Sequence, residues 1–354
     1  MGKNLLVDLS ENSYNIIIEK GLFSSLGEEI NKIYKGKKIF IITDSNVNKY
    51  YGDKVVNELE KSGYIIKKLV LPAGEETKSF NTLPTIYNEL LAFKLTRKDL
   101  IITLGGGVIG DLGGFAASTF LRGVPFVQIP TSLLAQVDSS VGGKVAVDLE
   151  QGKNLVGSFY QPKAVLIDPE VLNTLPEKFY RDGMGEVIKY GCIKDREFFY
   201  MLKELNSRQE VMDNIENILF TCCNIKRIVV ENDEKDLGER MLLNFGHTLG
   251  HAIEKYYNFK VYSHGEAISI GMYYITLLSE NLGITKKGTS DEIKEILIKY
   301  HLPYEVQLDD IESVVNTIAL DKKNLGNILK VILINDIGES IIYDTEPNFF
   351  RAVK

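Results

Sequence analysis

The chain has few cysteines, no long apolar run and no excess of basic residues. Its three cysteines, Cys192, Cys222 and Cys223, lack a CxxC spacing and the even count of a disulfide framework, which argues against a disulfide scaffold or a structural zinc site. No window reaches the roughly 18 uninterrupted apolar residues of a membrane span. A net charge of -7 argues against nucleic-acid binding, because phosphate backbones select basic surfaces.

The length of 354 residues exceeds the size at which one hydrophobic core usually keeps growing, so two domains are expected. Hydrophobic residues make up 44% and charged residues 25% of the chain, as in ordinary globular proteins. The first 20 residues mix charge with short apolar runs and lack the long apolar segment of a secretory signal. We therefore expect a cytoplasmic protein with no membrane partner.

The first half of the chain alternates β-rich runs with helical patterns. Residues 37–47, 64–74 and 99–107 predict strands, and residues 79–94 predict a helix. This order is typical of βαβ units in a mostly parallel sheet, whose ligands lie beyond the carboxyl ends of the strands. Asp44 falls at such an end. The sequence predicts an α/β domain over residues 1–178.

The second half, residues 179–354, is predicted to be mainly α-helical. Successive helical patterns cover residues 177–191, 219–230, 241–257 and 265–283. The apolar run 328–336 predicts one late strand, which pattern alone does not assign to a sheet. No long linker or internal repeat separates the two halves, so we expect them to pack closely.

Six glycines occupy the ten positions 105–114, after a predicted strand and before a helical pattern. Gly105, Gly107 and Gly110 satisfy G-x-G-x-x-G, a pattern that brings backbone N–H groups to a pyrophosphate. The ribose-binding acid expected about 20 residues further on is missing, and Asp44 could supply that contact. A tight turn with close helix packing explains the glycines equally well, so both interpretations stay open.

Three of the four histidines, His247, His251 and His264, fall within 18 positions of the chain, 247–264. A lone histidine is more often structural, but three together favour a metal site. Histidine nitrogens with a carboxylate suit Zn²⁺ at a catalytic site. His247 and His251, four residues apart, would share one helix face. Spacing alone leaves several ligand sets possible among the three histidines, Glu186, Glu254 and Glu266.

Five basic residues lie in or near glycine-rich loops or beside the histidines. Most lysines are solvated surface residues, so each alone is weak support for a site. Their position beside glycines favours contacts with phosphate or carboxylate groups. These residues are Arg122, Lys144, Lys153, Lys226 and Arg240.

Several long motifs resemble the 3-dehydroquinate synthase family, and they follow one another in the family's order over most of the chain. The motifs taken together are far more specific for this family than any single motif. The matching blocks are residues 72–79, 105–124, 130–148, 152–162, 181–191, 237–254, 264–272 and 321–323. The resemblance implies an N-terminal NAD-binding α/β domain and a C-terminal helical domain that binds metal and substrate.

The resemblance also implies site residues. The metal, Zn²⁺ or Co²⁺, would be bound by Glu186, His247 and His264, which frees His251 for substrate. NAD would be bound by Asp44, Asn46, Glu75, Lys78, Gly106, Gly107, Val108, Ile109, Gly110, Asp111, Thr131, Ser132, Lys144 and Lys153. The catalytic residues would be Asp138, Lys144, Asn154, Lys189 and His251. Substrate contacts would come from Arg122, Lys226, Arg240, Asn244 and one of Lys322 and Lys323.

The implied reaction converts 3-deoxy-D-arabino-heptulosonate 7-phosphate to 3-dehydroquinate and phosphate. It proceeds by transient oxidation, phosphate elimination, reduction and intramolecular aldol closure. Lys226 and Arg240 are expected to bind the substrate carboxylate, because a guanidinium offers paired donors that match this group. Arg122 resembles a residue that reaches the neighbouring subunit, so a homodimer is expected. The alternatives are another sugar phosphate cyclase, a metal-dependent polyol dehydrogenase and a non-catalytic nucleotide-binding regulator.

Overall fold

The computed structural model describes residues 2–306, 313–314, 318, 329–346 and 349–350. By their internal contacts the residues form two compact units. The first unit comprises Met1–Pro176 and Glu216–Lys235, and the second comprises Glu177–Ile215 and Asp236–Lys354. The first change of unit along the chain, between Pro176 and Glu177, lies next to the predicted boundary at residues 178 and 179. The segment Glu216–Lys235 of the second half belongs to the first unit.

Helices occur in both units. Ser45–Val47 is a short first turn that leads through a π-helical segment into the helix at Asp53. The α-helices are α1 (Leu26–Ile33), α2 (Ser45–Val47), α3 (Asp53–Lys61), α4 (Leu83–Ala92), α5 (Gly107–Thr119), α6 (Glu177–Lys194), α7 (Arg196–Glu204), α8 (Arg208–Asp213), α9 (Ile215–Asn232), α10 (His247–Tyr256), α11 (His264–Asn281) and α12 (Thr289–Lys299). Within the part of the chain that the structure describes, no helix is long and apolar enough to cross a membrane.

The first unit is built on a seven-stranded sheet with the order β1-β2-β9-β6-β5-β3-β4. Only β1 runs antiparallel to its neighbour; the other described pairs in this sheet are parallel. The strands of this unit are β1 (Lys3–Val7), β2 (Tyr14–Ile18), β3 (Lys38–Asp44), β4 (Ile65–Leu71), β5 (Leu100–Gly105), β6 (Phe126–Pro130), β7 (Lys144–Leu149), β8 (Gly152–Phe159) and β9 (Ala164–Ile167). The predicted α/β fold with a mostly parallel sheet is confirmed.

The central strand β3 is apolar on both faces. Ile39 and Ile41 belong to one hydrophobic cluster, and Phe40 and Ile42 belong to another. Alternate residues of a strand point to opposite faces, so these clusters lie on the two sides of the sheet. Burial on both sides explains why the strand sequence is a continuous apolar run rather than an alternation. Such a side chain contributes about 1.5–3 kcal/mol when fully buried.

β7 and β8 form a separate antiparallel hairpin of the first unit, and β7 packs against α5. The helix α9 also belongs to this unit. Its Cys223 thiol lies 3.2 Å from the carbonyl oxygen of Gln136. The other two cysteines, Cys192 and Cys222, are also buried.

The second unit is mainly helical, with α11 packed against α6, α10 and α12. The predicted late strand is present as β10 (Leu329–Asp336), and it pairs with β11 (Glu339–Thr345) in an antiparallel hairpin. The predicted single helix over residues 241–257 is wrong in its first part. Residues 239–244 form a 3-10 turn, and Gly246, with φ +79°, precedes the start of α10 at His247.

Candidate active site

Several of the predicted nucleotide residues lie at the carboxyl ends of three adjacent strands of the first unit. Asp44 ends β3, Gly105 ends β5, and Thr131 and Ser132 follow β6. The three strands are neighbours in the order β6-β5-β3. In parallel sheets this edge is where ligands bind, so the topology brings these residues to one edge of the sheet.

The glycine segment turns directly from β5 into α5, with Gly106 at the N-cap. A Cβ atom at Gly106 would lie 3.3 Å from Ser132 Oγ, and one at Gly107 would lie 3.1 Å from Ser139 Oγ. The absence of side chains at these two glycines therefore leaves space at the N-terminus of this helix. The first turns of a 13-residue helix present free N–H groups and a partial positive charge, which suit a pyrophosphate. Val108, Ile109, Gly110 and Asp111 lie in these turns.

The last two glycines of the segment have a packing role. A Cβ atom at Gly113 would lie 2.5 Å from Thr103 Cγ2, and one at Gly114 would lie 2.5 Å from Val145 Cγ1. The two interpretations of the glycine segment thus apply to different residues. Gly106 and Gly107 border the open helix terminus, whereas Gly113 and Gly114 bring α5 close to β5 and β7.

Asp44 caps the helical segment that follows β3. Its Oδ1 accepts hydrogen bonds from the backbone N–H groups of Asn46, at 2.8 Å, and Val47, at 3.0 Å. The carboxylate is thereby held in one orientation, and Oδ2 is the oxygen that can accept a ribose hydroxyl. Asn46 is exposed beside it.

Lys78 is the centre of a polar network in the first unit. Its ammonium donates to Asp111 Oδ2 and to Asn154 Oδ1, each at 2.6 Å, although Lys78 is only 5% exposed. Burial lowers the pKa of Lys78, but the carboxylate of Asp111 outweighs it and holds this pKa above the ordinary value. Asn154 has φ +57°, and its N–H donates to Asp148 Oδ1. Lys78 thus ties α5 to β8.

Lys226 of α9 donates to both the carbonyl oxygen and Oδ1 of Asp138, each at 2.8 Å. Lys226 is 6% exposed, whereas the Asp138 side chain is 25% exposed, so water reaches this ion pair mainly from the Asp138 side. Arg122, with φ +67°, and Lys144, at the start of β7, are exposed. Glu75 is also exposed, in the turn after β4, and Lys153 is half-buried in β8.

The second unit brings together Glu186 of α6, His247 at the start of α10 and His264 at the start of α11. The Nε2 atoms of both histidines lie 3.3 Å from the same oxygen, Oε1 of Glu186. One ligand atom from each of the three residues lies within 4.8 Å of the others. Two imidazoles and one carboxylate form a donor set that suits Zn²⁺ or Co²⁺ and leaves a coordination position for substrate.

The charge states of Glu186 and His247 also fit a bound cation. Burial alone would raise the pKa of Glu186, but Lys189 and the two histidines hold it well below the ordinary value. Burial and the ammonium of Lys189 lower the pKa of His247, so its imidazole is neutral, as a metal ligand must be. For His264, hydrogen bonds to Glu186 and Glu254 outweigh burial and raise the pKa to about 10, so binding of a metal ion at Nε2 would release a proton from this ring.

A second possible donor group consists of His251, Glu254 and His264. It shares His264 with the first group but uses an exposed histidine, His251. The ring centroid of His251 lies 5.3 Å from that of His247 and 5.9 Å from that of His264. The i, i+4 histidines are therefore neighbours, as predicted. Glu266, another predicted candidate, instead accepts hydrogen bonds from Ser263 in a capping box.

Glycine contacts set the approach of the three helices that carry the cluster. A Cβ atom at Gly185 would lie 2.7 Å from the carbonyl oxygen of Gly265, and one at Gly271 would lie 2.0 Å from that of Gly246. These backbone contacts join α6 to α11 and the start of α10 to α11. Asp182, which sequence reasoning missed, accepts a 2.5 Å hydrogen bond from the N–H of Gly265. Asp182 lies four residues before Glu186, about one helical turn, and this spacing is the signal in the sequence that could have identified it.

Two other predicted substrate residues of the second unit, Arg240 and Asn244, lie in the turn before α10. Arg240 is 3% exposed and Asn244 is exposed, both within the 3-10 turn Glu239–Asn244. Lys189 is 1% exposed and pairs with Glu186. Lys322 and Lys323 lie outside the described residues.

Solved structures share this architecture of a parallel-sheet unit and a helical unit. A 2-deoxy-scyllo-inosose synthase complexed with carbaglucose-6-phosphate, NAD+ and Co2+ superposes with a TM-score of 0.89, at 24% identity, over 100% of this chain and 99% of that chain. A 2-epi-5-epi-valiolone synthase from Streptomyces hygroscopicus subsp. jinggangensis 5008, with NAD+ and Zn2+ bound, gives 0.88 at 23% identity, over 98% and 97%. The chain thus has the fold of these two synthases.

Sequence comparison identifies the family of the chain. The 3-dehydroquinate synthase N-terminal model matches residues 68–182, and the 3-dehydroquinate synthase C-terminal model matches residues 183–324. A 3-dehydroquinate synthase of Clostridium botulinum (strain Alaska E43 / Type E3) is 70% identical over 349 residues, which cover 99% of this chain and 100% of the relative. The chain belongs to the 3-dehydroquinate synthase family.

Proposed function

We propose that the chain converts 3-deoxy-D-arabino-heptulosonate 7-phosphate to 3-dehydroquinate and phosphate, with NAD and a divalent metal as cofactors. The observation that carries the proposal is the convergence of Glu186, His247 and His264 within a member of this family. We further assign the reaction to the carbon–oxygen lyases of the shikimate pathway, and the protein to the cytoplasm.

The metal ligands would be Glu186, His247 and His264, since a hard carboxylate and two imidazoles match Zn²⁺ or Co²⁺. A bound ion supplies Lewis-acid polarisation of a substrate oxygen, and bound NAD accepts a hydride and returns it. Lys189 keeps Glu186 ionised, so this carboxylate is ready as a ligand at neutral pH. Burial and the same ammonium lower the pKa of His247, which favours its neutral form.

In the first unit, the free N–H groups at the start of α5 would bind the NAD pyrophosphate, and Oδ2 of Asp44 would accept a ribose hydroxyl. Lys78 holds the start of α5 through Asp111. The remaining proposed NAD contacts are Asn46, Glu75, Gly106, Gly107, Val108, Ile109, Gly110, Thr131, Ser132, Lys144 and Lys153.

The substrate carries a carboxylate and a phosphate, so its binding needs basic groups and hydrogen-bond donors. We assign the carboxylate to Lys226 and Arg240, because a guanidinium presents paired donors to this group. We assign the phosphate to Lys144, Asn154, Asn244 and His251. Phosphate can leave with its own oxygens taking the adjacent proton, so these residues need only hold it. Arg122 is proposed to act in the site of a second subunit, in a homodimer.

Redox neutrality distinguishes this function from that of a polyol dehydrogenase. The hydride that NAD would take from the carbon bearing the substrate hydroxyl would return after phosphate has left, so no NADH would accumulate. A dehydrogenase releases one NADH in every turnover. A cyclase that makes 2-deoxy-scyllo-inosose acts on a substrate without a carboxylate, and the presence of both Lys226 and Arg240 favours the heptulosonate substrate.

The test supplies the heptulosonate phosphate with Zn²⁺ or Co²⁺ and NAD far below the substrate concentration. Phosphate and 3-dehydroquinate are expected in equal amounts, each exceeding the NAD present, without a rise in NADH absorbance. Glucose 6-phosphate serves as the carboxylate-free control and is expected to give no phosphate release. NADH formed in proportion to product, or turnover of glucose 6-phosphate alone, would refute the proposal.

A further inference from the structure

One carboxylate of the histidine cluster has no place in the proposed ligand set. Glu254 of α10 is 4% exposed, and its Oε2 lies 3.3 Å from Nδ1 of His264. The opposite nitrogen of the same ring, Nε2, lies 3.3 Å from Oε1 of Glu186. We propose that Glu254 is a positioning residue, which holds the His264 ring through the Nδ1–H group and thereby presents Nε2 to the metal.

Geometry separates this role from direct ligation. The two nitrogens of an imidazole point in different directions, so an ion at Nε2, between Glu186 and His247, is on the far side of the ring from Glu254. A histidine that ligates through Nε2 commonly donates its other N–H to a carboxylate or a carbonyl, which fixes the tautomer and the ring orientation. Because Glu254 is buried, little water competes for this hydrogen bond.

The ring of His247 is held in the same manner. Its Nδ1 lies 3.1 Å from the carbonyl oxygen of Phe245, while its Nε2 faces Glu186. Both histidines of the cluster therefore have an acceptor on the nitrogen that faces away from Glu186. The acceptor is a neutral carbonyl for His247 and a carboxylate for His264, and a carboxylate makes its histidine the more basic ligand.

Other acids near His264 hold the backbone rather than the ring. Glu266 accepts from the N–H of Ser263 at 2.8 Å, and Asp182 accepts from the N–H of Gly265 at 2.5 Å. These two bonds fix the start of α11, on which His264 is the first residue. The backbone bonds leave the side-chain torsions of His264 free, and Glu254 restrains them. The role of Glu254 is thus separable from helix capping.

The inference rests on the proposed metal site, and metal affinity of the metal-free protein tests it directly. The variants are Glu254→Leu, which removes the acceptor at similar length, and Glu254→Gln, whose amide oxygen still accepts from Nδ1–H. The dissociation constant for Zn²⁺ is measured by competition with a chromophoric chelator. We expect Glu254→Leu to weaken binding by about 10–100-fold, as for other outer-shell partners, and Glu254→Gln to weaken it by less.

Two comparison variants complete the design. Glu280→Gln removes a carboxylate from α11, the helix that begins at His264. Oε1 of Glu280 accepts a hydrogen bond from the N–H of Ser290, and its replacement is expected to leave zinc affinity unchanged. Glu186→Gln removes a proposed ligand and is expected to cost more affinity than either change at Glu254. The Co²⁺ absorption spectrum is recorded for each variant, and the Glu254→Gln spectrum is expected to keep the wild-type coordination number.

The outcomes separate the two proposals. If the unmodified protein binds no zinc, the proposed metal site fails and the role of Glu254 fails with it. If it binds zinc and both Glu254 variants bind zinc as tightly as the unmodified protein does, only the positioning role is overturned. If Glu254→Gln loses as much affinity as Glu186→Gln and changes the Co²⁺ spectrum, Glu254 is a ligand and the positioning role is again overturned. Should Glu254→Leu unfold, the Glu254→Gln result decides by itself.

Discussion

Lys189 and Glu186 form an ion pair one helical turn apart on α6, with both side chains 1% exposed. The ammonium contacts Oε2 of Glu186, whereas the two histidines approach Oε1. The two oxygens of one carboxylate therefore have separate partners. Lys189 compensates a buried negative charge, and Oε1 stays directed at the cluster.

This pairing predicts a stability effect for Lys189→Met. The free energy of unfolding of the metal-free protein should fall by about 3 kcal/mol, because removing one partner leaves a buried charge uncompensated. Zinc should restore part of the loss, since the cation replaces the missing positive charge. Urea denaturation with and without zinc measures both effects.

The matched control is Lys194→Met on the same helix. Lys194 pairs with Glu239 at 2.9 Å, but the two side chains are 33% and 35% exposed. A pair at the surface contributes about 0–1 kcal/mol. Equal losses for the two variants would contradict the role given to Lys189.

The proposed ligand set predicts different outcomes at two adjacent histidines. His247→Ala should lose bound metal because it removes a ligand. His251→Ala should retain metal and lose turnover, because this exposed ring is assigned to the substrate. Metal content after dialysis and phosphate release are measured on both variants. Equal loss of metal from both would show that the assignment of His247 and His251 is wrong.

The network of Lys78 predicts weaker NAD binding for Lys78→Met. This change leaves Asp111 of α5 without its cation and frees Asn154. Hydrogen bonds to charged groups contribute about 1.5–3 kcal/mol, so the dissociation constant for NAD+ should rise roughly 10-fold or more. Isothermal titration calorimetry measures it.

Lys68→Met is the control for that experiment. Lys68 pairs with Asp53 at 2.7 Å, where the Asp53 side chain is 92% exposed. Its removal should leave NAD+ affinity unchanged, because β4 and α3 carry no proposed cofactor contact at these positions. An equal rise in the dissociation constant for both variants would mean that general loss of positive charge, rather than the Lys78 network, is responsible.

The hairpin β10–β11 predicts a pH-dependent contribution from Asp336. Although burial opposes it, hydrogen bonds from Arg196 and Lys286 hold the pKa of Asp336 below its ordinary value. The stabilisation is fully present above the unfolded-state pKa of about 4 and is lost as the pH falls through the lower pKa of the folded protein. Asp336→Asn should therefore reduce the free energy of unfolding by about 0.5–1 kcal/mol at pH 6, and by less at pH 3. A difference that is the same at both pH values would contradict this.

The parallel sheet could be predicted because its strands are buried on both faces. Residues 39–42 form a continuous apolar run within the strand that ends in Asp44, and the short length of this run favours a strand over a helix. The start of α10 could not be predicted in the same way. Residues 241–257 have one helical pattern, but Gly246 adopts a left-handed conformation and packs so closely on α11 that a Cβ atom would lie 2.6 Å from the carbonyl oxygen of Ile268. Tertiary packing decided this boundary.

The candidate metal site was only partly predictable. The three histidines are close in sequence, so their clustering was visible without a structure. Glu186 lies 78 residues before His264, and the resemblance to a known family, rather than spacing, selected it from the acids. Glu254 and Glu266 were equally good ligand candidates in the sequence, and only coordinates separate a carboxylate that contacts a ring nitrogen from one that caps a helix.

The membership of α9 in the first unit has a consequence for synthesis of the chain. Domains generally fold from the N-terminus as they leave the ribosome. Here Cys223 and Lys226 contact Gln136 and Asp138, so the unit that begins with β1 is incomplete until translation has passed residue 232, the end of α9. About 40 residues of the second unit, 177–215, are made before it can close. A gene fragment that stops at residue 178 would therefore encode the first unit without α9 and without its contacts to Gln136 and Asp138.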